Sequence, residues 1–155
     1  MTQHDRIGRL SVVVYDGHFD KIHYALAMAS SAAALDMPVT LFFTMDACAA
    51  LMIGPHDRQP RWHALPVSGA DGAGTSADVT AGIDMDNRFR AQKIATFEDL
   101  LAACVELGVT FMVCEMGLKA RNLSADELRT DIPVEPGGLV TFLSNATKDG
   151  SIVFI

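Results

Sequence analysis

The tightest constraint on this chain lies near its N-terminus, where two nearly unbroken apolar runs flank an alanine-rich segment. Leu10 to Tyr15 (L-S-V-V-V-Y) is β-branched and almost continuous, the pattern of a strand covered on both faces. Asp16-Gly17-His18 interrupts it. Phe19 to Leu35 then contains neither proline nor glycine and is rich in Ala, Met and Leu, which predicts a helix. Ile22, Leu26, Ala29 and Ala33 recur on one face of it, and Asp20 sits near its start, where a carboxylate favours the helix dipole. Pro38 prevents continuation, and Val39 to Phe43 is a second strand. Strand, helix and strand with short joints form a βαβ unit, which implies a parallel pair and a right-handed crossover.

The rest of the chain repeats the alternation. Thr44 or Asp46 can cap a short helix over Ala47 to Ile53, ended by Gly54-Pro55. Residues 55 to 82 read as irregular and the least ordered part of the chain, a mobile or functional loop that can act as a lid. Met85 to Ala95 is a helix or an ordered loop, so the long irregular segment extends over 55–95. Thr96-Phe97-Glu98-Asp99 opens a further helix with Thr96 as cap and Asp99 as the returning acid. Its apolar face is Phe97, Leu100, Leu101, Cys104 and Val105, and Gly108 closes it. Val109 to Cys114 is a strong strand. Ser124-Ala-Asp-Glu127 is a capping-box pattern for a short helix through Arg129. Ile132 to Glu135 is a short strand, Leu139 to Thr147 a helix, and Ser151 to Ile155 a last strand. The pattern predicts one domain over 1–155. It is an α/β chain, a three-layer α/β/α sandwich with about five mostly parallel strands.

Composition narrows the function classes. The chain has 155 residues, half of them hydrophobic and 20% charged, with a formal net charge of −7. Basic residues come only in twos and threes, as in Arg58 with Arg61, so no stripe tracks a phosphate backbone and nucleic acid is not an expected partner. No window offers a spanning helix, membrane contact is not expected, and the N-terminal residues do not resemble a signal peptide. The three cysteines at 48, 104 and 114 form no C-x-x-C. They suit a reducing, cytoplasmic compartment better than a disulfide framework. Low charge with high apolar content points to apolar surface covered by another copy, hence a homo-oligomer.

In parallel α/β sheets the ligand crevice lies beyond the carboxyl ends of the strands. Three such ends are Tyr15-Asp16-Gly17, Phe43-Thr44-Met45 and Val113-Cys114-Glu115. Cys114 is therefore the sharpest functional candidate. It is either a reactive thiol or a small core side chain. Cys104, three and four residues from Leu101 and Leu100, reads as core. Cys48 lies just past the second strand, as packing or as a resolving thiol. The run Gly69-x-x-x-x-Gly74-Thr75-Ser76 lacks the lysine of a phosphate loop and reads as a flexible loop. His18 and His23 are five apart, off the spacing that places two metal ligands on one helical face, so no metal site is expected. No G-x-S-x-G and no G-x-G-x-x-G occurs, which leaves serine hydrolysis and a dinucleotide cofactor unsupported.

Three segments carry a family pattern. They are Asp16-Gly17-His18-Phe19-Asp20-Lys21 leading into an Ala-rich helix; Met37-Pro38-Val39-Thr40-Leu41-Phe42-Phe43-Thr44; and Gly108-Val109 to Cys114-Glu115-Met116 followed by Leu123-Ser124-Ala125-Asp126-Glu127-Leu128. In order and spacing the chain resembles the DsrE/DsrF-like family, in its single-domain, peroxiredoxin-like branch. Residues 55 to 95 fall outside the match. The resemblance implies a flavodoxin-like α/β/α fold (the DsrE-like fold), homo-oligomeric assembly and sulfur handling. The cysteine at this strand end of the family accepts sulfane sulfur as a persulfide and passes it on, and Cys114 is the matching position.

The leading expectation is thus a sulfur carrier or sulfurtransferase. Its donors and acceptors are proteins or small persulfides, and it needs no cofactor. Asp16, Gly17, His18, Phe43, Thr44, Glu115, Met116 and Gly117 are expected to line the substrate site, with backbone amides of Glu115 to Gly117 facing the anion and Cys48 as a possible resolving thiol. The rival is a non-catalytic module that binds a small ligand or nucleotide in the same crevice, with Cys114 only lining it. The absence of an evident base beside Cys114 favours that rival.

Overall fold

The computed structural model describes residues 6–69 and 79–155. Five strands, β1 (Leu10–Val14), β2 (Val39–Phe43), β3 (Thr110–Cys114), β4 (Val134–Gly137) and β5 (Ser151–Phe154), form one sheet in the order β4-β3-β2-β1-β5. All four pairings are parallel. The helices are α1 (Phe19–Ala34), α2 (Gly82–Ala91), α3 (Phe97–Glu106), α4 (Glu115–Ala120) and α5 (Leu139–Ser144), with 3-10 turns at Met45–Leu51, Arg61–Ala64 and Ala125–Glu127. The expected α/β/α arrangement is present. Its strand order differs from the 2-1-3-4-5 of flavodoxin-like sheets.

The order follows from the handedness of the connections. From β1 to β4 the chain steps three times in one direction across the sheet, so right-handed crossovers put every intervening helix on one face. The step from β4 to β5 runs back the other way and puts α5 on the opposite face. Side-chain parity agrees. Val12, Val14, Leu41, Phe43 and Phe111 share a core with Ile22, Leu26 and Ala29 of α1. The alternate residues Val13, Phe42, Met112 and Cys114 cluster with Phe142 of α5. The Phe42 and Phe142 rings stack at 4.9 Å.

Local signals held where caps and breakers are strong. The Thr96 hydroxyl accepts from the Asp99 amide at 3.2 Å and the Asp99 carboxylate accepts from the Thr96 amide at 3.3 Å. Gly108 takes φ +80 just beyond α3, the left-handed conformation that favours glycine. Two readings need correction. The Ser124 pattern makes only the 3-10 turn Ala125–Glu127, because Leu128 and Arg129 turn away to bond the chain at Met52 and Leu51. The helix that follows β3 is instead α4, which starts immediately after Cys114.

The segment read as an irregular lid is also different. The glycine-rich stretch at 70–78 lies outside the described residues. The part before it is built into the core: Trp62, Leu65 and Val67 are buried. Trp62 stacks on Phe97 at 4.6 Å and on Phe19 at 5.6 Å. Its indole N–H donates to Glu98 at 2.8 Å. Glu98 is the hub of a charged network, accepting two bonds from the buried Arg129 guanidinium at 2.6 and 2.9 Å, while Asp131 accepts two more at 3.0 and 2.8 Å. Burial works to raise the Glu98 pKa, but hydrogen bonds from Arg129 and Trp62 outweigh it and hold the carboxyl below its usual range. Asp131 is lowered by its hydrogen bonds from Arg129.

Two stability predictions follow from this packing. A Cβ on Gly117 would lie 2.6 Å from the Met45 amide nitrogen and 2.8 Å from Thr44 Oγ1. Gly117→Ala should therefore cost about 2 kcal/mol by overpacking, seen as a lower urea midpoint at unchanged slope. The Arg129 network has lowered carboxylate pKa values in the folded state. Its contribution is complete above the ordinary carboxylate range and is lost as pH falls through the lowered values. Arg129→Met should cost about 2 kcal/mol near neutrality, less than a fully buried pair because Glu98 is half exposed. The difference from the parent should shrink as the pH falls below the ordinary carboxylate range, and a difference that stays undiminished on acidification would contradict the electrostatic account.

Candidate functional site

The carboxyl edge of the sheet carries two distinct features. The first is a cleft of about 390 Å³ lined by Tyr15, Asp16, Gly17, His18, Asp46, Ala49, Leu65 and Pro66. The loop after β1 is fixed by Asp16: its Oδ1 accepts from the His18 amide at 2.8 Å and from His18 Nδ1 at 2.5 Å, and its Oδ2 accepts from Lys21 Nζ at 3.0 Å. Burial opposes ionisation of Asp16, yet these bonds together hold its pKa down at about 2. Gly17 has no room for a side chain, because a Cβ there would meet the Asp46 Cβ at 2.5 Å. The turn after β2 therefore packs directly on the turn after β1. Asp46 also pairs with Arg121 at the end of α4, at 2.6 Å.

The second feature is Cys114. It is the last residue of β3 and the N-cap of α4, placed beside Gly137, the last residue of β4. The chain leaves β3 toward the α1 face and leaves β4 toward the α5 face. Adjacent strands whose connections part in this way define the topological switch point, where open α/β sheets form their crevices. The position matches the sequence reading, but the exposure does not. Cys114 is only 1% exposed, packed with Phe42, Met112 and Phe142 on the α5 side of the sheet.

Cys48, in the 3-10 turn after β2, is fully buried against Met52, Val113 and Leu118. Its thiol donates toward the Phe43 carbonyl at 3.7 Å. Burial first, then the negative charge of a Cys114 thiolate, push its pKa up to about 12. Cys104 is remote from them, donating to the Leu26 carbonyl at 3.4 Å, and burial pushes it up to about 12.

The remaining expected site residues divide. Asp16, Gly17 and His18 come together in the cleft. Phe43 belongs to the core and Thr44 is buried, so neither lines the cleft; Thr44 serves instead as the floor on which Gly117 rests. Glu115 and Met116 are exposed on the first turn of α4. Ala49, Leu65 and Pro66 join the cleft unannounced, the last two from the segment read as a loop. His23 is a core side chain, its Nε2 2.8 Å from the Ala95 carbonyl. Among the described residues no cluster of three or more His, Cys, Asp or Glu could hold a metal ion, and no helix is long and apolar enough to cross a membrane.

No family model matches the chain. Uncharacterized protein YrkE of Bacillus subtilis (strain 168) is 27% identical over 156 residues, covering 95% of this chain and 96% of that protein. The solved structure of MTH1491, a protein of unknown function from Methanobacterium thermoautotrophicum, superimposes with a TM-score of 0.51 at 13% identity, over 95% of this chain and 98% of the other. That likeness is one of fold.

With pKa values near 12, Cys48 and Cys104 hold only a trace of thiolate at about pH 8. Alkylation of the native protein at that pH should leave both unmodified, whereas the unfolded chain should react at all three cysteines. Peptide mass mapping reads the difference. Modification of Cys48 in the native state would contradict the burial described here.

Proposed function

We propose that the protein is a cysteine-dependent sulfur carrier that holds sulfane sulfur as a persulfide on Cys114 and relays it to an acceptor thiol. The observation that carries this reading is the place of Cys114 at the switch point between β3 and β4. Loading is a thiol–persulfide exchange. The Cys114 thiolate attacks the outer sulfur of a donor persulfide, the donor's S–S bond breaks, and the donor leaves as its thiolate. Cys114 is itself the N-cap residue of α4, and its side chain makes no hydrogen bond to the helix amides. The Phe42 and Phe142 rings and Met112 make a dry, polarisable wall that suits sulfur and keeps water from a labile S–S bond.

Access is the step the fold controls. Cys114 lies beneath Phe142 of the six-residue α5, so sulfur exchange requires α5 to lift. Leu139, Val140 and Leu143 of α5, and Ile152 and Phe154 of β5, are exposed apolar side chains. They support the view that this face meets another surface, in a homo-oligomer or with a donor or acceptor protein.

A second reading has its own support. The 390 Å³ cleft at Asp16 and His18 offers a small ligand a place, although Cys114 does not line it as that reading expects. The two readings separate by intact mass after treatment with inorganic polysulfide. The carrier should gain one sulfur atom, Cys114→Ser should gain none, and Cys104→Ala should gain it while losing roughly 1 kcal/mol of stability. Uptake by Cys114→Ser at the parent rate would sink the carrier reading.

A further inference from the structure

The two edges of the sheet are not alike. Ser151 and Ile155 turn their amides inward, donating to the Arg9 and Val13 carbonyls at 2.9 Å. By the alternation of a strand, Ile152 and Phe154 turn their N–H and C=O groups outward. β5 ends the sheet, so no strand among the described residues meets them. On the opposite edge the same alternation turns Val134 and Pro136 outward. There Pro136 has no N–H, the Val134 amide is spent on the Ile132 carbonyl at 2.9 Å, and Glu135 adds a charge. Proline and charge are devices that close a sheet edge to other chains. β5, Ser-Ile-Val-Phe, has neither.

The side chains at this open edge are apolar. Ile152 and Phe154 stand beside Ser11 and Val13, on the face of α5 but outside the cluster under Phe142, and they are 54% and 67% exposed. The Tyr15 ring lies 5.3 Å from that of Phe154. Beside α1 a groove of about 730 Å³ reaches the end of β5, walled by Lys21, Met28 and the exposed Tyr24. At these exposures Tyr15, Tyr24, Ile152 and Phe154 offer on the order of 400 Å² per copy. That is about half of the roughly 800 Å² that each partner of a stable complex buries, and the strand backbone and the groove lie beside them to supply the rest.

We propose that β5 pairs antiparallel with β5 of a second copy across a two-fold axis at Val153, joining the two five-stranded sheets into one. In that register each Ile152 lies opposite the second copy's Phe154, and each such pair exchanges both N–H···O bonds. The side chains of the two pairs make one apolar cross-strand cluster. Two observations favour a second copy over an unrelated strand. Self-pairing about a two-fold axis is isologous, so the strand that is bare on one copy supplies its own complement on the other. The chain also carries a net charge of −7, so two copies approach best where no charge stands, and the four residues of β5 carry none. This pairing concerns the assembly and holds whether or not Cys114 carries sulfur.

Sedimentation of the full chain tests it, and the parent should run at twice the 16.6 kDa of one copy. Ile152→Pro removes an outward N–H and leaves the amides that face β1 in place. Phe154→Lys puts a charge into the cross-strand cluster. Each should weaken the dimer about tenfold or more while keeping the far-UV circular dichroism of the parent. Val140→Lys, on α5, should leave the dimer intact. Val153 meets its own copy in a non-hydrogen-bonded pair, so Val153→Cys should link two chains by a disulfide on mild oxidation, with the native cysteines buried away from it. A monomeric parent overturns the proposal and leaves the edge to a strand of another protein. A dimer that survives both β5 variants overturns it too, and its loss in Val140→Lys would put the contact on α5 instead. Dimeric Val153→Cys protein that fails to cross-link overturns the two-fold register.

Discussion

The right-handedness of crossovers in a parallel sheet is the constraint on which the rest of this structure depends. Three steps in one direction commit α1 to α4 to a single face, and the one return step commits α5 to the other. The divergence has to occur somewhere along the carboxyl edge, and here it occurs between β3 and β4. A cysteine at the end of β3 consequently stands where backbone leaves the sheet in both directions. Nothing about the thiol itself selects that place; the winding of the chain does.

The same constraint explains why the two faces are so unequal. One holds the large core of α1 and α3, reinforced by Trp62 stacked against Phe19 and Phe97 and by the Arg129 network that ties α3 to the chain approaching β4. The other rests on Phe142 of α5 packed over four sheet side chains. Close backbone approaches transmit order from the well-packed side to the carboxyl edge. Gly17 lets the β1 turn lie on Asp46, and Gly117 lets α4 lie on Thr44 and Met45. The turn between them carries Met45 at φ +49, an unusual conformation for a residue with a side chain, held by packing from both sides.

Much of this was legible in the residues. Short, nearly continuous apolar runs without alternation, β-branched in the first, announced β1, β2 and β3 as strands, and the Thr96–Asp99 box with Gly108 bounded α3. What failed has physical reasons. α4 is E-M-G-L-K-A behind a cysteine cap, a short sequence with a glycine inside and no hydroxyl or carboxylate at the cap position, so its only local signal is the acid of Glu115. The Ser124 pattern was genuine as a cap, and its hydroxyl does accept from the Asp126 amide, but tertiary bonds to Leu51 and Met52 pulled the chain out of the helix. Trp62 and Arg129 entered the interior through partners 36 and 31 residues away, which no periodicity reveals. The strand-end rule placed Cys114, Asp16 and His18 at the carboxyl edge of the sheet, where the structure has them. It could not say that Cys114 points away from the other two, because side-chain direction on β3 depends on which face each helix finally covers.

The thin cover over Cys114 has a kinetic consequence. α5 is a single six-residue helix that presents Val140 at 81% exposure and anchors itself to the sheet through Phe142. Such an element can detach as a local unit at a free energy well below that of global unfolding. Access of any reagent to the Cys114 thiol is then metered by an opening equilibrium. Amide exchange in residues 139–144 and the rate of Cys114 alkylation should rise and fall together across variants that leave Cys114 untouched.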